Sequence, residues 1–363
     1  MMVHMPISLE SAGLEQTDAG VSRKANRKAG RIAVTLMFMA GCVAVVPGWA
    51  EAPQPVLQPV ADIPLGGNTT RLDYESLDPS RHLLFIAHLG DNAVIVFDTQ
   101  ARRVVARIPQ ISKVHGVLAI PELGTVYASA TGTNEVVAID EKTLKVTARA
   151  PGGVYPDGMA YAPEVHKLYV SDEHGNTETV VDVRTNTRVA TIPLGGEVGN
   201  SQYDPVLKHV FVNVQTRKQL IEIDPTSDKV VARIDLPGAE GNHGLLIEPE
   251  QRRAFIACED NHKLLVLDLG SRKVTAAFGV GEEPDVLAYD PGLHYVYVAA
   301  ESGPVTVFKT EPAGVSNVGE VQVGSHAHAV AVDPGTHKSY FALQNLQGST
   351  ALRIMTPGIG SAP

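Results

Sequence analysis

The sequence predicts an all-β chain, a seven-bladed β-propeller of four-stranded blades whose last blade is closed by the N-terminal strand. Three observations carry the prediction. A proline recurs at Pro79, Pro121, Pro163, Pro205, Pro249, Pro291 and Pro334, spaced 42 to 44 residues apart. Each proline introduces the same block: two β-rich runs, a short polar turn, then a third run after an Asp and another turn. Examples are HLLFIAHLGDNAVIVFDTQARRVVARI at 82–108 and HKLYVSDEHGNTETVVDVRTNTRVATI at 166–192. Tandem units of about 40–45 residues holding four short strands read as propeller blades. Finally, PVADIPLGG at 59–67 nearly repeats RVATIPLGG at 188–196, the last strand of a blade, whereas the seventh repeat supplies three strands of its own. A strand around Val60 to Pro64 is therefore expected to complete that blade, removing an open sheet edge.

Taken in order, residues 1–50 read as a signal peptide. Arg23, Lys24, Arg27, Lys28 and Arg31 precede an apolar run at 32–46, and PGWA follows with small residues, Gly48 and Ala50, where a signal peptidase reads. The run is too short for a stable membrane span. A lipoprotein signal ending at Cys42 is the competing reading, and no twin-arginine pair precedes the run. Both readings export the protein, to the periplasm or beyond. Cleavage after Ala50 removes five basic and three acidic side chains, leaving 25 Lys and Arg against 37 Asp and Glu, a net charge of −12. Such a surface repels phosphate backbones and argues against nucleic-acid binding. Only Cys258 remains, in the apolar run FIAC, where a buried small hydrophobe is expected and no internal disulfide can form.

Residues 51–58 form a Pro-rich lead-in, residues 59–357 the propeller, and residues 358–363 a C-terminal tail. Runs such as HVFVNV and KLLVLDL suit strands packed on both faces. Asp98, Asp140, Asp182, Asp224 and Asp268 each stand before a turn and are expected to accept its backbone N–H groups.

The blocks LFIAHLGDN, LYVSDEHGN, VFVNVQT and VYVAAESG, each followed by an Asp, a turn and a K/RVV segment, resemble the YVTN-repeat β-propeller family of secreted and periplasmic bacterial proteins, the YncE-like group. The resemblance spans residues 59–357 and implies the fold. It implies a binding or surface protein, and because the family pattern is a repeat consensus it transfers no catalytic residue.

Chemistry is sought where the blades differ. Five residues before the proline stand Gly116, Gly158, Gly244 and Ala329, small side chains expected where innermost strands crowd the axis. Six residues before it the series is Asp73, His115, Asp157, Gly199, His243, Asp285 and His328, at the entry to each innermost strand. These groups are expected to face the mouth of the central channel, with Arg71, Lys113, Tyr155, Glu197, Glu283 and His326 as a rim. Blades 1 and 4 place Tyr74 with Glu75, and Asn200 with Ser201, where other blades keep small and aliphatic residues. Polar groups in packed positions need partners, which makes them site candidates or members of a local network. His88, Asp172 and His174 end second strands and are expected near the opposite face.

Three readings of the ring follow. It lines a site for a small molecule or a protein segment; or it is polar lining bonded to neighbouring blades; or His115, His243 and His328 hold a divalent metal ion, with Asp73, Asp157 or Asp285 as base or orienting group of a hydrolase or oxidase. A protein-interaction scaffold using a flat face is a further rival. No Cys-x-x-Cys-His, Walker, dinucleotide, His-Glu-x-x-His or Gly-x-Ser-x-Gly pattern occurs. The single tryptophan, Trp49, lies in the signal, which removes the tryptophan-docked quinoproteins. The expected product is a monomeric exported propeller.

Overall fold

A computed structural model describes residues 55–358; the expected signal, Cys42 and residues 359–363 lie outside the described residues. Twenty-eight strands form seven four-stranded antiparallel sheets, the propeller expected from the repeats. In blades 1 to 6 the strands lie in chain order from the axis outward. The seventh blade runs Ala331–Asp333, Lys338–Leu346, Ser349–Pro357 and, outermost, Leu57–Pro64, so the N-terminal strand closes it as expected.

Burial follows position within each blade. Second and third strands are covered on both faces, so Leu83–His88 and Ala93–Asp98 are almost continuously buried. Outermost strands such as Arg103–Ile108 alternate exposed and covered residues, because only one face meets a neighbour. The core is consequently a set of seams between blades: Phe85, Val94 and Val96 pack on Val117, Val126 and Ala128 across the first of them.

Turn chemistry is local. Asp98, Asp140, Asp182, Asp224 and Asp268 accept the backbone N–H groups of the following turns, as anticipated. An additional series, just before the repeated proline, does the same work: Asp78, Asp204, Glu248, Asp290 and Asp333. In all seven blades the corresponding turn ends in a left-handed residue, His82, Gly124, His166, Lys208, Arg252, His294 and His337. The free thiol of Cys258 is fully buried and burial pushes it up to about 12, consistent with a small hydrophobe.

Two details differ from expectation. The closing strand starts at Leu57, inside the stretch read as lead-in, and pairs from Leu57 with Pro357 to Pro64 with Ala351. Val56 and Leu57 are buried there, and Arg353 grips the Asp62 carboxylate with two bonds of 2.7 Å. The innermost strand of blade 7, expected through HAVAVDP, pairs only over Ala331–Asp333. The His328 carbonyl instead accepts the Val286 N–H of blade 6 at 3.1 Å, so this stretch is held by its neighbour rather than by its own sheet. Among the described residues no helix is long and apolar enough to cross a membrane.

Removing residues up to Pro64 would leave the Ser349–Pro357 edge unpaired. The expected outcome is a thermal midpoint lowered by several degrees and the appearance of dimers or larger species in size-exclusion chromatography. An unchanged monomer with an unchanged midpoint would show that closure does not depend on this strand.

Candidate functional site

The innermost strands of blades 1 to 6 carry one shared irregularity. Leu72 pairs with His88 but Glu75 with Ile86, so one extra residue is inserted, and the same shift falls at Val114/Val117, Pro156/Met159, Val198/Ser201, Asn242/Leu245 and Pro284/Leu287. A bulge frees its residues from the ladder and re-aims their side chains. The freed residues are those six and five before the proline. Glycine is required at two of the latter by close approach: a Cβ on Gly116 would collide with the Asp157 carbonyl, and one on Gly244 with the Asp285 carbonyl. The former point together, and Asp73, His115, Asp157, His243 and Asp285 line one cavity of about 400 Å³.

The structure adds a second ring that sequence reasoning missed. Antiparallel pairing sets the end of a second strand beside the start of the first, Leu72 opposite His88 and Pro156 opposite Asp172, which corrects the expectation that second strands end at the opposite face. One residue further stand Glu173, Gln215, Glu259 and Glu301. Their N–H groups bond to the carbonyls of Tyr155, Glu197, Gly241 and Glu283 at 2.8–2.9 Å. Several rim residues hold the left-handed conformation: Lys113, Tyr155, Glu283 and His326 have φ of 45°, 62°, 53° and 58°. Non-glycine residues there carry a backbone cost that neighbouring structure must offset. His174 joins the rim by stacking on Tyr155, ring centroids 4.3 Å apart. His88 bonds Thr70 and the Asn68 carbonyl, and Asp172 accepts from Gly153, Thr177 and Thr179; both secure turns.

The rim also fixes imidazole tautomers. A carbonyl can only accept, so His115 donates Nδ1–H to the Lys113 carbonyl at 2.9 Å and His328 donates Nδ1–H to the His326 carbonyl at 3.2 Å. The His115 Nε2 then accepts from the Tyr155 hydroxyl at 3.0 Å. His243 differs, because the Gln215 amide donates both to its Nδ1 at 3.0 Å and to the Val198 carbonyl at 3.3 Å. Its Nε2 faces the Tyr74 hydroxyl at 3.3 Å, Asp285 at 3.6 Å and Asp157 at 3.7 Å. A doubly protonated His243 requires the Gln215 amide to turn over.

Carboxyl groups outnumber cations around this mouth. Burial opposes charge on His243 and His328, yet Glu259, Asp285 and Asp157 raise the first to about 9, and the nearby carboxylates of Asp73 and Glu301 raise the second to about 10. Burial also opposes the Asp73 charge, but the neighbouring His328 imidazole and Arg71 hold it down to about 2. Burial is similarly outweighed at Glu301, held well below the usual carboxylate range by His328 and Arg71. Without such close partners, burial pushes Glu173 and Glu259 up to about 7, and raises Asp157 and Asp285.

Tyr74 crosses the channel from blade 1. Its hydroxyl bonds Asn200 of blade 4 and Asp157 of blade 3, the latter at 3.2 Å. It lines the mouth cavity and also a smaller one of about 130 Å³, walled by Val117, Met159, Asn200, Leu245 and Leu287. Glu75 and Ser201 spend their polar atoms elsewhere: Glu75 accepts the Ala342 N–H across the seam with blade 7, and the Ser201 hydroxyl bonds Glu178 and Ser171, both at 2.7 Å. Burial raises Glu75 and Glu178 well above the carboxylate range, favouring the protonated form of each.

The three imidazoles named from the sequence are not gathered as one ligand set, for they stand on blades 2, 5 and 7. Convergent donor groups within 4.8 Å combine one imidazole with two carboxylates instead: His243, Glu259 and Asp285; Asp285, Glu301 and His328; and, at the rim, Glu173, His174 and Glu197. His115 joins none of them.

No family model and no curated protein matches this sequence. Solved structures match it through the fold. They include a chain of the Kuenenia stuttgartiensis hydrazine synthase, with TM-score 0.68 and 15% identity over 86% of this chain and 98% of that one. A chain of a mitotic checkpoint complex matches with TM-score 0.70 and 10% identity, over 89% of this chain and 98% of that one. Likeness at such identity shows the propeller fold alone.

Tyr74→Phe strands buried acceptors and is expected to cost about 1–3 kcal/mol in urea unfolding; no loss would mean the hydroxyl is not holding the blades. Glu178 yields a pH test. Its unfolded form ionises near 4.5 while burial raises the folded form well above that, so its contribution makes stability fall as pH rises above 4.5. Glu178→Gln removes this term: its stability relative to the parent should grow from pH 5 to pH 8, by at most about 1.4 kcal/mol per unit. Parallel pH profiles would show Glu178 to be ionised in the fold.

Proposed function

We propose that the chain is an exported β-propeller binding protein that holds a small, polar, charge-bearing molecule in the mouth chamber. The observation that carries this reading is the floor: Tyr74, bonded to two blades across the axis, underlies a chamber whose volume of about 400 Å³ falls in the range of small-molecule sites. A bottomed chamber suits a compact ligand better than a threaded segment. Its walls carry both signs of charge, Arg71 and Lys113 beside Asp73 and Glu173, and His243 beside Glu259 and Asp285, so a ligand carrying charge of both signs is favoured.

Other features support the rest of the proposal. The repeat blocks resemble those of the YVTN-repeat, YncE-like propellers, whose members are binding or surface proteins. The segment at 1–50 has the makings of a signal for export to the periplasm or beyond, and the acidic mature composition disfavours nucleic acid. A seventh blade closed by its own chain leaves no long unpaired edge there, as suits a monomer.

The test is a thermal-shift screen of amino acids, diamines, dicarboxylates and sugar phosphates, followed by calorimetric titration of any stabilising compound. Lys113→Ala and Glu173→Gln should each weaken binding about tenfold, near 1.4 kcal/mol, while the remote exposed Val231→Ser leaves it unchanged. A ligand whose affinity ignores both mouth substitutions would place the site elsewhere.

A further inference from the structure

Two buried atoms beside the mouth chamber have no hydrogen-bond partner, His328 Nε2 and Asp285 Oδ1. Their residues are only 1% and 5% exposed. Leaving such groups unpaired costs about 1–3 kcal/mol each, so an occupant that serves both is favoured. Both residues belong to one convergent group: Asp285, Glu301 and His328 each offer a ligand atom within 4.8 Å of the other two.

The surroundings are those of a built site. His328 is anchored through its other nitrogen, which donates to the His326 carbonyl at 3.2 Å with Glu301 Oε2 at 3.3 Å. A metal-binding imidazole is ordinarily fixed in this manner, its second N–H on a carbonyl or carboxylate. Glu301 is in turn oriented by Arg71, which bonds Oε1. Asp73 Oδ1 lies 3.8 Å from His328 Nε2, a further oxygen close to the free nitrogen. The adjoining group of His243, Glu259 and Asp285 lacks this property, because both His243 nitrogens face partners, Gln215 and Tyr74. One imidazole with two carboxylates suits a borderline first-row divalent ion such as Zn²⁺ or Mn²⁺ better than Ca²⁺ or Mg²⁺, which take oxygen alone.

We infer that Asp285, Glu301 and His328 form a binding site for one divalent first-row transition-metal ion at the edge of the mouth chamber. The ion would take the place of the proton on His328 Nε2, with a carboxylate oxygen from each of Asp285 and Glu301. Ion binding stands independently of the ligand proposed above; that the ion also faces that ligand rests on the chamber reading, since Asp285 lines the chamber.

The experiment uses the full chain purified without a polyhistidine tag, stripped with chelator, dialysed, and titrated with Zn²⁺ or Mn²⁺ alone by calorimetry and equilibrium dialysis. One equivalent of ion should bind and raise the thermal midpoint. His328→Ala and Asp285→Asn should each weaken that binding by at least about tenfold, the scale on which even outer-sphere partners act. The remote, exposed Val231→Ser should leave it unchanged, and circular dichroism confirms that each variant is folded. Failure of both ions to bind, stoichiometric binding indifferent to His328 and Asp285, or loss with Val231→Ser would overturn the assignment. The small-molecule titration repeated on metal-free protein separates the two readings. Ligand binding without any ion uptake sinks this inference alone, and ion uptake without a ligand leaves it standing while removing the chamber proposal.

Discussion

Crowding at the axis is the constraint from which the rest of this molecule follows. Seven innermost strands converge until the backbone of one touches the next, and at Gly116 and Gly244 the space for a Cβ is taken by a neighbouring carbonyl. A regular strand would carry that contact along its whole length. The inserted residue in blades 1 to 6 relieves it and turns the preceding side chain toward the mouth. Because side chains alternate along a strand, a one-residue slip changes which face they serve. The same device that lets the ring close therefore supplies its polar opening.

The opening is electrostatically expensive. Buried carboxyl groups are tolerated when paired, as Asp73 and Glu301 are by Arg71 and His328, or when burial favours the protonated form, as at Glu75 and Glu178. The Asp285 side of the mouth is neither fully paired nor remote from solvent, and Asp285 Oδ1 and His328 Nε2 are left there without hydrogen-bond partners. Left-handed rim residues and the N–H bonds that rim carbonyls accept hold this arrangement in place, so the site is set by backbone rather than by flexible side chains.

Much of this was legible in the sequence, for identifiable reasons. The repeated proline gave a register, and a register converts distance along the chain into position around a ring; that is why Asp73, His115, Asp157, His243 and Asp285 could be grouped from spacing alone. The duplicate of RVATIPLGG exposed the closing strand. What escaped was whatever depends on a partner. Glu173, Gln215, Glu259 and Glu301 share one register position, but seeing that they belong to the mouth requires applying the antiparallel sense of the first hairpin. Glu75 and Ser201 departed from the repeat as a binding residue would, yet Ala342 and Glu178 absorb their polarity. The histidines were aligned by rank in the repeat, and rank does not reveal that His115 is occupied by Tyr155 while His328 is free.

Anomalous diffraction from crystals of the chain grown in Zn²⁺ tests the account most directly, since it reads the ring geometry and the occupant together. The account predicts seven blades with the Asp73 to His328 series at one mouth, and one anomalous peak about 2.0–2.2 Å from His328 Nε2 and an Asp285 oxygen. A mouth in which those side chains diverge, or a peak held by residues outside this group, would contradict it.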